Sequence, residues 1–233
     1  MIFRQLFDQA TWTYTYLLAD PETRDAVIID PVREQVERDA QLIEELGLNL
    51  RYSLETHVHA DHVTGSGALR ERFGAQTVVS VRGGADCADI KADQGTRLEF
   101  GAFAVETYAT PGHTPGCLTY VVRDGDEVLA FTGDALLVRG CGRTDFQQGS
   151  AHALYHSVTD KIFTLPDHTR IYPGHDYRGR TASTVAEEKQ FNPRLRVGTT
   201  EDRFVAIMTD LKLADPRLMD VAVPANLACG KAA

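Results

Sequence analysis

Hydrophobic and polar positions change period several times along the chain. Thr13 to Ala19 (TYTYLLA) and Ala26 to Asp30 (AVIID) are β-branched and aromatic runs parted by Asp20-Pro21-Glu22, which predicts two strands joined by a turn. Val36, Ala40, Ile43 and Leu46 then recur at helical spacing ahead of Gly47, predicting an amphipathic helix over Glu34 to Leu46 with a charged outer face. Leu50 to Glu55 reads as a strand, and Gly67 to Phe73 as a short helix stopped by Gly74. Thr77 to Val81, Ala102 to Thr107, Leu118 to Val122 and Val128 to Thr132 are further strands, with Asp124-Gly125 turning the chain between the last two. Helical patterns over Ala151 to Phe163, Thr181 to Lys189 and Asp202 to Leu213 enclose one more strand, Thr169 to Tyr172. Strands and helices that alternate without a regular βαβ repeat predict a layered α/β sandwich in one domain. The residues around Asn192-Pro193 are the one expected linker, leading to a short helical extension from about residue 190.

Composition narrows the function classes. Among 233 residues, 24 Lys and Arg face 33 Asp and Glu, a net charge of −9 that disfavours a phosphate-tracking nucleic-acid surface, so no nucleic-acid partner is expected. No run approaches the roughly 20 apolar residues of a membrane span; even Ala102 to Val122 is broken by Glu106, Pro111 and His113, so no membrane partner is expected. Met1 to Asp8 shows no charged start with an apolar core, so the cytoplasm is the expected compartment. Cys87, Cys117, Cys141 and Cys229 are scattered without a CxxC pair, which predicts reduced thiols.

The chemistry concentrates in Thr56-His57-Val58-His59-Ala60-Asp61-His62, three imidazoles and a carboxylate directly after an apolar strand. At a strand-to-helix turn such side chains can converge on one point, which makes a metal site the natural explanation. Three later segments carry the same residue types at strand ends: Thr110-Pro111-Gly112-His113-Thr114-Pro115-Gly116, Thr132-Gly133-Asp134 and Tyr172-Pro173-Gly174-His175-Asp176. Glycine there permits close backbone approach, and strand-end loops are where α/β scaffolds present catalytic groups.

The order THxHxDH, PGHT, GD and PGHD resembles the metallo-β-lactamase superfamily. Within it, Thr110 to Cys117, the run Phe131 to Gly149 (FTGDALLVRGCGRTDFQQG) and Val223-Pro224-Ala225-Asn226 resemble the persulfide, or sulfur, dioxygenases. The resemblance implies a four-layer αβ/βα sandwich, a mononuclear Fe(II) held by His57, His113 and Asp134, and His59, Asp61, His62 and His175 as supporting or water-holding groups. Two imidazoles and one carboxylate suit Fe(II), since they leave open positions for substrate and O₂. The implied reaction oxidises the terminal sulfur of glutathione persulfide with O₂ to sulfite, releasing glutathione, and the implied assembly is a homodimer.

Glutathione carries two carboxylates, so local cations and hydroxyls are expected beside the metal. Arg143 leads by its place in the loop after Asp134 and its planar fork, with an ion pair to Asp145 as its plain structural role. Tyr177 and Thr114 are placed to add hydroxyls, and Cys141 either borders the pocket or fills the core. The alternative is a binuclear thioesterase of the glyoxalase II type, for which all the ligands are present. The short chain after His175 and the Phe131 to Gly149 run favour the dioxygenase instead. A non-catalytic sulfur carrier is opposed by the intact ligand set.

Overall fold

A computed structural model describes residues 1–214 and 218–230. Its described strands form two sheets of six. The first runs, in spatial order, β1 (Ile2–Asp8), β2 (Thr13–Ala19), β3 (Asp25–Ile29), β4 (Asn49–Leu54), β5 (Gln76–Ser80) and β6 (Ile90–Ala92). The second holds β7 (Arg97–Phe100), β8 (Phe103–Ala109), β9 (Leu118–Asp124), β10 (Glu127–Gly133), β11 (Arg170–Pro173) and β12 (Ser183–Thr184), its spatial order following the chain. Helices α1 (Val36–Glu45) and α2 (Ser66–Phe73) belong to the first half of the chain; α3 (Ala151–Thr159), α4 (Val185–Phe191), α5 (Glu201–Asp210) and α6 (Met219–Leu227) belong to the second.

The strand sequences dictate this layering. TYTYLLA is buried along its whole length because it has no solvent face: Tyr16 and Leu18 point between the sheets, while Leu17 and Ala19 point outward under α1 and α2. Between the sheets, Leu18, Val27, Ile29, Leu54 and Val78 meet Phe100, Tyr120, Val122 and Phe131. A second core seals Ala130 and Ile171 beneath Leu154, Val158, Phe204 and Met208, and a third seals Ile28 and Leu50 beneath Ala40, Ile43 and Leu69. The order helix, sheet, sheet, helix is the four-layer α/β sandwich that the sequence led us to expect.

The differences from the sequence reading are local. IFRQLFD forms the half-exposed edge strand β1, paired antiparallel with β2, and its mixed pattern gave no strand signal. The helical stretch from Ala151 breaks at Thr159, with Ile162–Thr164 a separate 3₁₀ turn. The stretch from Thr181 first pairs as β12 and only then becomes α4, capped by Thr184 accepting from the Glu187 amide. Asn192 is no linker: it is fully buried, and its amide donates to the Gly140 carbonyl at 3.1 Å and to Glu188 at 2.8 Å. The expectation of reduced thiols is corrected as well. Cys87, in the loop after β5, and Cys229, past α6, form a disulfide, since the fold folds the chain end back over the first sheet. Cys117 and Cys141 remain free and buried.

Two predictions follow from this packing. Asp39 lies buried on α1 with Arg38 Nε at 2.9 Å, and burial, outweighing Arg38, pushes its carboxyl up from 3.8 to about 6. The folded state therefore binds more protons than the unfolded chain between those values, and stability falls as pH rises through that window. Relative to Asp39→Asn, the wild type should lose on the order of 2–3 kcal/mol between pH 4 and pH 7, read from urea midpoints; parallel profiles would refute this. The Cys87–Cys229 bond closes a long loop, so dithiothreitol or Cys229→Ser should cost about 2–4 kcal/mol of stability, seen as a lower Tm.

Candidate active site

Parallel pairing of β3 with β4 and of β10 with β11 brings several strand ends to one rim, where the two sheets are stitched together. Tyr14 donates its amide to the Gly174 carbonyl at 2.9 Å, and Gly174 donates to Gly133 at 2.9 Å. Loops leaving these strands carry the candidate residues. The close approach demands glycine at two points. Gly133 has φ +49°, and a Cβ there would lie 2.5 Å from Thr56 Oγ1; a Cβ on Gly142 would lie 2.5 Å from the Asp134 carbonyl and 2.9 Å from His113 Nδ1.

His57, His113 and Asp134 converge, each offering a ligand atom within 4.8 Å of the others. Their hydrogen bonds set the tautomers. Thr56 Oγ1 donates to Asp30 Oδ2 at 2.7 Å, so it can only accept from His57 Nδ1 at 3.0 Å, which leaves the lone pair of His57 on Nε2. His113 Nδ1 must donate to the Arg143 carbonyl at 2.7 Å, leaving its Nε2 lone pair 3.6 Å from Asp134 Oδ2. Burial, reinforced by His59 and His113, holds His57 well below the ordinary imidazole range and keeps it neutral. Asp134 Oδ1 is buried without a hydrogen-bond partner among the described residues. Two aimed lone pairs and an orphaned carboxylate oxygen fit a divalent cation, and an N₂O set without thiolate suits Fe(II).

A second group, His59, Asp61 and His175, also lies within 4.8 Å. His175 Nε2 is 3.6 Å from Asp61 Oδ2 and 3.7 Å from Asp134 Oδ1, and His62 Nδ1 is 3.0 Å from Asp61 Oδ2. Burial opposes charge on His59, but Asp30 at 3.1 Å and Glu55 at 3.4 Å from Nε2 outweigh it and raise its basicity well above the ordinary range. His59 Nδ1 and His62 Nε2 are buried without a hydrogen-bond partner among the described residues.

Three residues to which the sequence analysis gave no role in the site organise this cluster. Asp30 takes the amide of Thr56 at 2.7 Å besides the Thr56 hydroxyl and His59. Glu55 accepts from Thr64 and Ser66 and so ties β4 to the start of α2. Asn226 on α6 donates to the carbonyls of His59 at 2.9 Å and His62 at 2.8 Å and accepts from the Thr64 amide at 2.8 Å. The signal for Asp30 was a carboxylate closing an apolar strand; Asn226 stood in a segment that resembles the family but with no role assigned, and Glu55 carried no signal apart from the fold.

Beside the metal residues opens a cavity of about 780 Å³, lined among others by Asp61, His113, Asp134, His175 and Tyr177. Tyr177 reaches it from the loop after β11, its ring parallel to that of His175 at 6.2 Å. Arg143 also lines it, but its guanidinium is engaged by Asp145 through Nε and Nη2, both at 2.7 Å, and by the Ala214 carbonyl at 2.7 Å. Both expected roles are therefore on the page: Arg143 lies in the cavity wall and is paired with Asp145, whose carboxylate two residues on matches its fork. Thr114 is buried with its hydroxyl 3.2 Å from Cys117 Sγ, away from the cavity lining, which removes it as a substrate donor. Cys141 both borders the cavity and packs in the core, its Sγ 3.7 Å from Met208 Sδ, and burial raises its thiol.

Comparison with known proteins agrees with this geometry. Residues 13–175 match the metallo-β-lactamase superfamily. The human protein "Persulfide dioxygenase ETHE1, mitochondrial" is 57% identical over 99% of this chain and 89% of its own length. The crystal structure of ETHE1 from Myxococcus xanthus superposes with a TM-score of 0.94 at 55% identity, covering 99% of this chain and 100% of that one. The chain belongs to the persulfide dioxygenase family of the metallo-β-lactamase superfamily. A more distant relative of this superfamily, TTHA1623 in a di-iron-bound form, has a TM-score of 0.68 at 27% identity over 82% of this chain and 98% of its own.

After loading with Fe(II), His57→Ala, His113→Ala and Asp134→Ala should each abolish metal retention through desalting, while His59→Ala should keep measurable metal by elemental analysis. Equal loss in all four would overturn the three-residue assignment.

Proposed function

We propose that the chain is an iron-dependent dioxygenase that converts glutathione persulfide, O₂ and water into glutathione, sulfite and two protons. The observation that carries this is the pairing of full-length identity to persulfide dioxygenases with the His57, His113 and Asp134 triad. Those three residues would hold Fe(II) from one side. When bound, the ion supplies the redox chemistry with O₂ that no side chain provides.

The rest is work for the protein. Thr56 and the Arg143 carbonyl lock both imidazoles in the tautomer that presents Nε2. The cavity walls bring the persulfide next to the triad, which removes much of the entropic cost of meeting O₂ there. Asp61 Oδ2 and His175 Nε2 stand beside Asp134, where they hold water and take up released protons. Tyr177 offers a hydroxyl at the rim. Cytoplasmic residence and a homodimer complete the reading; both rest on the sequence pattern and the family resemblance.

The second group of ligands keeps one other reading in view, a two-metal glutathione thioesterase using His59, Asp61 and His175 as well. Anaerobic purification followed by metal analysis and an oxygen electrode separates the two. About one iron per chain with persulfide-dependent O₂ uptake and sulfite release is expected. Two metals, no O₂ uptake and hydrolysis of a glutathione thioester would replace the dioxygenase reading.

A further inference from the structure

The loop from Asp134 to Arg143 carries two parts of the metal site: the Asp134 carboxylate and the Arg143 carbonyl, which accepts from His113 Nδ1 at 2.7 Å. Its inner end closes on itself. The Gly142 amide donates to the Asp134 carbonyl at 2.7 Å, and Leu137 and Gly140 exchange amide-to-carbonyl bonds at 3.0 and 3.1 Å. Its outer end rests on α4, where Glu188 is fully buried. Glu188 Oε2 accepts from the Arg139 amide at 2.9 Å and from Asn192 Nδ2 at 2.8 Å. Its Oε1 accepts from the Ser183 hydroxyl at 2.6 Å and from the Arg139 guanidinium. Asn192, one turn further on, gives its other amide hydrogen to the Gly140 carbonyl at 3.1 Å.

Two features make this clamp more than packing. Arg139 has φ +58°, a left-handed conformation that side-chain-bearing residues seldom adopt, and Glu188 holds both its amide and its guanidinium there. A carboxylate with no exposed surface must also keep its donors, so the loop cannot slide along α4 without stranding it. One side chain thus fixes Arg139 directly and Gly140 through Asn192, three residues before the carbonyl that receives the His113 proton.

Resting on the metal reading of His57, His113 and Asp134, we infer that Glu188 is a positioning residue for that site. It sets the loop after β10 so that His113 carries its proton on Nδ1 and presents the Nε2 lone pair to the metal. Glu188 does not line the cavity and makes no hydrogen bond to any of the three ligands among the described residues; it acts through the backbone of Arg139 and Gly140.

The test compares Glu188→Gln, which keeps the shape and removes the charge, with Asn192→Ala, which releases Gly140 and leaves the ion pair. Two references accompany them: Glu187→Gln takes the exposed second carboxylate from the same guanidinium, and Ile43→Ala loosens the distant core under α1. Long-range proton–nitrogen correlation spectra of metal-free, histidine-labelled protein read the His113 tautomer without turnover. The wild type and both references should show His113 protonated at Nδ1, and Glu188→Gln a mixture of the two tautomers. Anaerobic competition with a ferrous chelator should show the Kd for Fe(II) raised by about 10-fold or more in Glu188→Gln, less in Asn192→Ala, and by no more than about twofold in the references, whatever their Tm. An unchanged tautomer or an unchanged Fe(II) affinity in Glu188→Gln overturns the inference, as does an equal loss in Ile43→Ala. Should Glu188→Gln fail to fold, Asn192→Ala decides on the same two readouts. If His113→Ala holds Fe(II) as tightly as the wild type, the metal assignment fails, while the spectra of the metal-free protein still decide what Glu188 does to His113.

Discussion

The site depends on one buried carboxylate. Asp30 directly follows β3 with about 1% of its surface exposed, and such a charge inside a protein must be surrounded by donors. The Thr56 amide, the Thr56 hydroxyl and His59 Nε2 supply them. Because Thr56 spends its only hydrogen on Asp30, His57 must donate to Thr56, and its ligand nitrogen is turned toward Asp134. One carboxylate thereby orients two imidazoles, and the local path of the loop after β4 follows from satisfying it. Removing such a partner would leave donors and rings without a reason to face the metal position, which is how outer residues tune a metal site.

Around that anchor the protein separates charge by kind. The metal side gathers histidines and aspartates whose unpartnered atoms face inward, and the substrate side gathers arginines. Three of the five that line the cavity, Arg139, Arg143 and Arg180, are paired with carboxylates. The net charge argues about nucleic acid and says nothing about this pocket, since the Debye length of about 8 Å makes local arrangement decisive.

Long-range ties hold the two kinds of surface together. Asn226 on α6 grips the carbonyls of His59 and His62, and the disulfide of Cys87 with Cys229 fastens the same end of the chain to the first sheet. Gln147 donates to the Val58 carbonyl at 2.9 Å, joining the loop after β10 to the histidine loop. The metal residues therefore rest on contacts from segments far apart in the chain.

Much of this was legible from the chain alone. TYTYLLA and AVIID announced strands because burial on both faces leaves no polar position, and helix α2 stopped at Gly74 because that residue adopts the left-handed conformation at φ +71°. The dense histidine motif and the three Gly-bearing strand ends announced a metal site, since no core packing requires four ionisable residues in seven. Other features had no sequence signal. The edge strand β1 is patterned by partial exposure, and the hydrogen bonds of Glu55 and Asn226 and the disulfide depend on partners more than 8 residues away or at the far end of the chain. Arg143 shows the limit most clearly: its place near Asp134 and the ion pair with Asp145 were both legible, but the contact with the Ala214 carbonyl and its position in the cavity wall emerged only with the fold. Residue type and local period are properties of short segments, so the chain by itself determined the layers, the metal-binding chemistry and the family. Which groups are neutralised and which lone pair faces inward are properties of distances between remote segments, and only the folded structure decided those.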